Sequence, residues 1–408
     1  MTTSDEKKKI IESSDSENEE EEEETEEQIA EEYNTWKKNA PMMYANLSES
    51  VLDWQSLTVQ FLPKSGVFPA VADTSSPDVI DLDLVLGTYT SDGKQNYLML
   101  GSAKFSEKKT VKSTVTIDRK FKHQGEVNRA RAKPQNNSII ATASNTGIVY
   151  LYDTDKQEDG PVSELKEHTE NGYGLSWNTA KDGYLLTSAD DHKTVLWDTE
   201  KTTPLSVYTD AKDIANDVAW QNRTNPSVFG MVSEDKNFYL YDIREGSATA
   251  PALTHEIHGS AINTLAFSPA SEYIVATGGS DHAVVLSDLR NMKRRLHTLL
   301  GHSKMVTSLQ WSPHDDRVLA SAGPDRRVIL WDISRVGEEQ SQEDQEDGAP
   351  ELLFMHGGHT AGVADFSFSE RYPWVVASVS EDNICQLWQP QPAVVGRAKP
   401  HVKASDLE

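Results

Sequence analysis

Ser188-Ala-Asp-Asp191, followed by Thr194-Val-Leu-Trp-Asp198, is the stretch on which the fold turns. Its closing phrase, Leu196-Trp197-Asp198, returns at Leu330–Asp332. It returns with Tyr or Ser in the middle at Leu151–Asp153, Leu240–Asp242 and Leu286–Asp288, and as Leu-Trp-Gln at Leu387–Gln389. The spacing is 44–46 residues, apart from a longer final interval that holds an insertion. Self-similarity at that period marks blades of four short strands arranged in a ring. Each blade packs only on its neighbours, so the 408 residues read as one closed unit and not as several ordinary domains.

The period and the phrase are those of WD40 repeats, and the expected fold is all-β, a seven-bladed propeller over residues 51–390. Six blades end on the phrases above. Val79–Thr90 and Gln95–Phe105 supply strands of a divergent first blade. Tight turns recur at Ser233–Asp235, Gly279–Asp281, Ala322–Asp325 and Val379–Asp382, and a histidine stands upstream in most repeats: His123, His168, His258, His302 and His359. In WD40 blades the His, a Ser or Thr, the turn Asp and the strand-end Trp form a hydrogen-bonded chain, which pairs polar groups that would be costly to bury alone. Trp54–Leu62 reads as the strand that closes the ring against the last repeat, and Pro63–Pro77 as a loop.

Ahead of the ring, Ile29, Tyr33, Trp36 and Met43 keep one helical face apolar. A helix is expected over residues 28–46, with order beginning near Glu26, Thr25 as its cap and Pro41 near its last turn. Its apolar stripe needs cover, so it should pack on the side of the propeller. Residues 1–27 form an acidic tail that is expected to be disordered, because like charges repel and little apolar surface is present. Residues 391–408 read as a flexible C-terminal tail.

The net charge is −26. Residues 1–34 hold 15 acids against 3 lysines, and residues 335–351 hold 7 acids against one arginine, so the two segments carry most of the excess. Such a chain repels nucleic-acid phosphates and attracts basic proteins. No apolar run approaches the ~20 residues that span a bilayer, so no membrane partner is expected. One cysteine, Cys385, excludes internal disulfides and Cys-based zinc sites, and it reads as a packed thiol. The His/Ser/Asp sets resemble catalytic triads. They recur blade after blade, however, and recurrence at the structural period marks a structural device. No phosphate-binding loop, dinucleotide fingerprint or nucleophile elbow is present. Asn46-Leu47-Ser48 matches a glycosylation acceptor but reads as a turn after the helix. The expectation is a chain that is not an enzyme, with no catalytic residues, no metal site and no cofactor.

The insertion, Gly337-Glu-Glu-Gln-Ser-Gln-Glu-Asp-Gln-Glu-Asp-Gly-Ala-Pro-Glu351, runs straight into Leu352-Leu-Phe-Met355 and Gly357-Gly-His359. An acidic loop beside an apolar edge suits a helix that is apolar on one side and rich in Arg or Lys on the other. This segment resembles the histone-binding WD40 proteins of the retinoblastoma-binding, multicopy-suppressor type. Trp36-Lys-Lys-Asn39, Gly125–Arg131, Gly172–Asn178 and Ser380–Ile384 extend the resemblance from about Glu31 to Trp388. One departure is Ala349-Pro350 where the family has Pro-Pro.

The resemblance implies that the first helix of histone H4 docks between the N-terminal helix and the acidic loop. It places Met43, Phe354 and Met355 in an apolar floor, and Glu343, Asp344 and Asp347 opposite the histone's basic residues. Hiding ~400 Å² of apolar surface would contribute roughly 10 kcal/mol before the costs of association. Charge-assisted hydrogen bonds of about 1.5–3 kcal/mol each would then fix the register. The resemblance also implies a site for the histone H3 tail on top of the ring. Glu126 and Asn128 match it, while Asn171, Asn216, Ala261 and Met305 replace glutamates, so a weak, degraded site is expected. The implied role is a non-catalytic chaperone or regulatory subunit that holds H4, or H3–H4, for a type B histone acetyltransferase, in nucleus and cytoplasm. Alternatives in the same class are the small subunit of a chromatin assembly factor, a deacetylase-complex subunit and a loading factor for centromeric H3. A generic adaptor, such as a ubiquitin-ligase receptor, is the alternative of another class.

Overall fold

A computed structural model describes residues 24–62, 80–90, 93–105, 114–244, 250–340 and 348–395. The loop Pro63–Pro77, the tail before Glu24 and the chain beyond Val395 lie outside the described residues, as do Glu343, Asp344 and Asp347. Numbered in chain order, the strands run from β1 to β28 and form seven four-stranded antiparallel sheets. Blade 1 comprises β2 (Val59–Leu62), β3 (Ile80–Gly87), β4 (Asn96–Phe105) and β5 (Thr116–His123). Blades 2 to 6 occupy residues 127–165, 172–208, 215–256, 262–300 and 308–356. Blade 7 takes three strands from residues 363–390 and borrows its fourth from the N-terminus.

A blade's third strand faces a neighbouring blade on either side, so it needs apolar residues in both directions. Thr194–Asp198 and Val328–Asp332 are buried at every position. The His–Thr/Ser–Trp chains lock the blades from within. In blade 3, His168 and Trp197 both meet Thr187 Oγ1 at 2.8 Å, and His168 Nδ1 lies 3.0 Å from Asp191. Blade 6 repeats the set with His302, Ser321, Trp331 and Asp325. Blade 4 has Ala211 in the histidine's place, and there Tyr239 donates to Asp235. Cys385 is buried in β28 (Ile384–Pro390), and burial pushes its thiol up to about 12.

The closing strand differs from the expectation. It is β1, Tyr44–Val51, which sets Leu47 opposite Trp388 and Ser50 opposite Cys385. Val59–Leu62 is instead the first strand of blade 1. The helix ends at Met43 and passes into extended backbone at Tyr44, so Asn46-Leu47-Ser48 is strand and not turn. The reason is positional. The helix lies on the outer flank, so the residues directly after it reach the free edge of β28. The chain must then cross toward the ring centre to begin blade 1.

Helix α1, Glu26–Met43, opens with a capping box. The Thr25 hydroxyl accepts from the Gln28 amide, and the Gln28 side chain accepts from the Thr25 N–H at 2.7 Å. Its covered residues are Ile29, Tyr33, Trp36, Ala40 and Met43, one stripe at alternating steps of four and three.

Candidate functional site

Helix α1 lies along blade 6 where the ring closes. Beside it runs β25, Leu352–His356, the outer strand of that blade. The Phe354 ring meets Tyr44 edge-on at 5.4 Å between centroids, and His356 meets Trp36 at 5.9 Å. Trp36 Nε1–H donates to Tyr44 Oη at 3.0 Å, and the Tyr44 hydroxyl donates to His356 Nδ1 at 2.8 Å. Burial, with the neighbouring His359 adding to it, holds His356 well below its ordinary value, so its neutral ring accepts that bond. Gly358 permits the approach: a Cβ there would stand 2.7 Å from the Trp36 ring.

Charge pins the first half of the helix. Glu32 pairs with Arg326 at 3.0 Å and with Arg327 at 2.8 Å, and Glu24 pairs with Arg326 at 2.6 Å. Burial raises the Glu32 carboxyl, but the hydrogen bond and charge of Arg327, followed by those of Arg326, outweigh it and leave the group below its ordinary value. Arg326 sits at a φ of 69° in the turn of blade 6, which aims its guanidinium at the helix.

A β-bulge sorts the side chains of β25. Leu330 pairs with Phe354 and Trp331 pairs with Leu352, so Leu353 is the extra residue. Leu353 and Phe354 therefore both join the cluster that holds Ala40, Tyr44 and Trp388, with Met43 and Trp36 packed against it. Leu352 and Met355 join Ile329 and Trp331 in the cluster shared with blade 5. Phe354 is only 3% exposed and underlies the surface. Met43, Phe354 and Met355 thus stand close together but do not share one face. Met43 and Phe354 belong to the helix side, and Met355 belongs to the loop side. Sequence reasoning missed Leu353, because period-two alternation does not reveal a bulge. The same bulge recurs at Leu205 and Leu296, which are 41% and 53% exposed. Leu353 is partly covered because α1 lies over it.

The described residues show both ends of the acidic insertion. Asp332 caps a short 3-10 turn, Ile333–Arg335, and Arg335 pairs with Glu338 at 3.1 Å. The limbs meet where Gln340 Nε2 donates to the Gly348 carbonyl at 3.1 Å. The returning limb is fixed by Asp332 N–H to Glu351 O at 2.8 Å. The insertion therefore leaves and re-enters at one point of blade 6, with β25 between it and α1.

On the top face, Asn128 is buried and donates to Asn171 Oδ1 at 2.6 Å and to Gly172 O at 2.9 Å. Asn171 in turn donates to the Tyr173 hydroxyl at 2.7 Å. Asn216 donates to Ile262 O in the next blade. Burial raises the carboxyls of Glu126 and Asp190, whose charges both act on Tyr173. The two asparagines serve as bridges between blades, and Met305 is exposed. Among the described residues no cluster of His, Cys, Asp or Glu is built to hold a metal ion. The repeated His–Ser/Thr–Asp sets lie buried inside blades.

A seven-bladed WD40 propeller with a helix clamped beside an acidic insertion defines a class of protein-docking rings. Within that class the chain belongs to the histone-binding WD40 family of the retinoblastoma-binding, multicopy-suppressor type. The model of the family of histone-binding protein RBBP4, a component of the CAF1 complex, matches residues 31–106. The model "WD domain, G-beta repeat" matches residues 250–288, 293–332 and 350–389. A relative from Debaryomyces hansenii, "Histone acetyltransferase type B subunit 2", is 41% identical over 403 residues, which is 93% of this chain and 95% of the relative.

Proposed function

We propose that this protein is the non-catalytic, histone-binding subunit of a type B histone acetyltransferase complex. It holds the first helix of histone H4 across blade 6 while a separate subunit acts on the free tail. The observation that carries this reading is the strip of β25, flanked on one side by α1 and on the other by the root of the acidic insertion. Met43 and Leu353 meet the apolar side of the histone helix over the buried Phe354, and Met355 extends the floor toward the insertion. Glu343, Asp344 and Asp347 face the histone's basic residues. Tethering makes the encounter between tail and catalytic subunit intramolecular, which is the rate gain such a subunit supplies. The ring itself turns over nothing. On the top face Glu126 and Asn128 keep only weak affinity for the H3 tail, because Asn171, Asn216, Ala261 and Met305 carry no charge. The protein serves in both cytoplasm and nucleus, where H4 is made and deposited.

Calorimetry with two peptides tests this. The H4 first-helix peptide should bind at micromolar affinity or tighter, and the H3 tail much more weakly. Undiminished H4 binding after Asp344→Lys combined with Leu353→Glu would refute the cleft. Micromolar H3-tail binding would refute the second half. Co-purification of an acetyltransferase at stoichiometric ratio supports the complex, and its absence together with absent core histones would favour a generic adaptor.

A further inference from the structure

One acid of the insertion is not displayed. Glu351 is 4% exposed, although it belongs to a segment whose other residues are chiefly acidic or polar. His297 Nε2–H donates to its carboxylate at 2.7 Å. His297 comes from β21, Arg295–Leu300, the outer strand of blade 5, so the pair ties the returning limb of the insertion to a different blade. Blades 3, 4 and 5 need no such tie. There the Asp that ends the third strand turns the chain at once, through Asp198–Lys201, Asp242–Arg244 and Asp288–Arg290. In blade 6 the equivalent Asp332 starts the long excursion instead.

We infer that Glu351 is not part of the anionic rim that meets a ligand, and that His297 and Glu351 are a positioning pair for helix recognition. A buried carboxylate is kept only where it is paired. Here its partner holds the residue immediately before β25, and so sets where the insertion stands over the cleft. A loop anchored at its root loses less conformational freedom when a ligand orders it. The inference rests on the reading of the cleft as a site for a basic amphipathic helix, and it names two residues that act on that site without touching the ligand.

The test uses the full chain and a fluorescently labelled peptide of the first helix of histone H4, with affinity read by polarisation at several salt concentrations. His297→Ala and Glu351→Ala should each weaken binding by about tenfold, and the double variant should be no worse than either single one. Glu351→Gln should stay within about twofold of wild type, because the amide oxygen still accepts the His297 bond. The salt dependence should be the same throughout. If Glu351→Gln loses as much as Glu351→Ala, with a flatter salt dependence, Glu351 is a ligand contact and the inference fails. Unchanged or tighter binding by His297→Ala overturns it as well. Hydrogen exchange without peptide separates this from failure of the cleft reading. Residues 338–352 should exchange faster in His297→Ala while the blades keep their protection. Unchanged exchange there sinks the inference even where wild type binds the peptide. Faster exchange with no peptide binding by wild type sinks the reading of the cleft instead, and the role in recognition with it.

Discussion

Truncating Trp36 to Ala should free helix α1 from the ring while leaving the propeller closed. The indole stands 5.5–5.9 Å from the rings of Tyr33, Tyr44 and His356. Removing a fully buried Trp costs about 3–5 kcal/mol. Trp36 is only partly buried, so roughly 2–3 kcal/mol applies here. The lost hydrogen bond adds little, since the Tyr44 hydroxyl still donates to His356. An 18-residue helix without tertiary support is marginal in water, so an undocked α1 unfolds. At 1.4 kcal/mol per tenfold change, the open population should rise by roughly 30- to 150-fold. The ladder between β1 and β28 begins after the helix ends, so the ring should stay shut. Hydrogen exchange over residues 26–43 reads the first claim, and exchange over 44–51 and 384–390 reads the second. Wild-type exchange over 26–43 would refute the packing argument. Equal loss of protection over 44–51 would show that helix and closing strand open as one unit.

Glu32→Gln should loosen the first half of α1 by under ~1 kcal/mol, because the carboxylate is half exposed. That contribution is present near neutral pH and fades as pH falls through the lowered value of Glu32, so wild type and variant should converge in acid and in high salt. Burial holds His123 down at about 4, from an ordinary 6.5. The unfolded chain therefore takes up the proton first, and stability should fall as pH drops from about 6.5 to 4, by about 3 kcal/mol for this residue. Urea titrations at pH 7 and pH 5 on wild type and His123→Gln check this, and equal pH dependence in both would count against it. His302→Ala leaves Asp325 buried without its main partner and should cost about 3–5 kcal/mol in thermal unfolding, with peptide affinity little changed. Affinity for the H4 peptide should fall steeply with added salt if acidic residues 343–347 face it, since exposed pairs are screened within ~10 Å at 0.1 M.

The fold was legible because a repeat states the same constraint many times. The Leu–Trp/Tyr–Asp phrases, the turns and the upstream histidines each restate one packing problem, so a single misread blade changes nothing. The helix was legible from Ile29, Tyr33, Trp36 and Met43, a stripe that only a neighbour could cover. The nearness of that helix to Leu352–Met355 followed from chain closure. The ring-closing strand was not legible in this way. Tyr44–Val51 and Trp54–Leu62 are both short and half apolar, and the choice between them depends on which one lies beside the free edge of β28 in space.

The sequence by itself determined the blade count, the charged segments and the neighbourhood of the cleft, because periodicity and charge are properties of the chain read in order. Only the tertiary structure decided which side chains face that cleft. One bulged residue, Leu353, puts Leu353 and Phe354 under the helix and turns Met355 toward blade 5. The tie between His297 and Glu351 joins residues 54 apart on different blades. A bulge is set by backbone pairing, and a contact between blades is set by ring geometry, so neither leaves a local mark in the residues that make it.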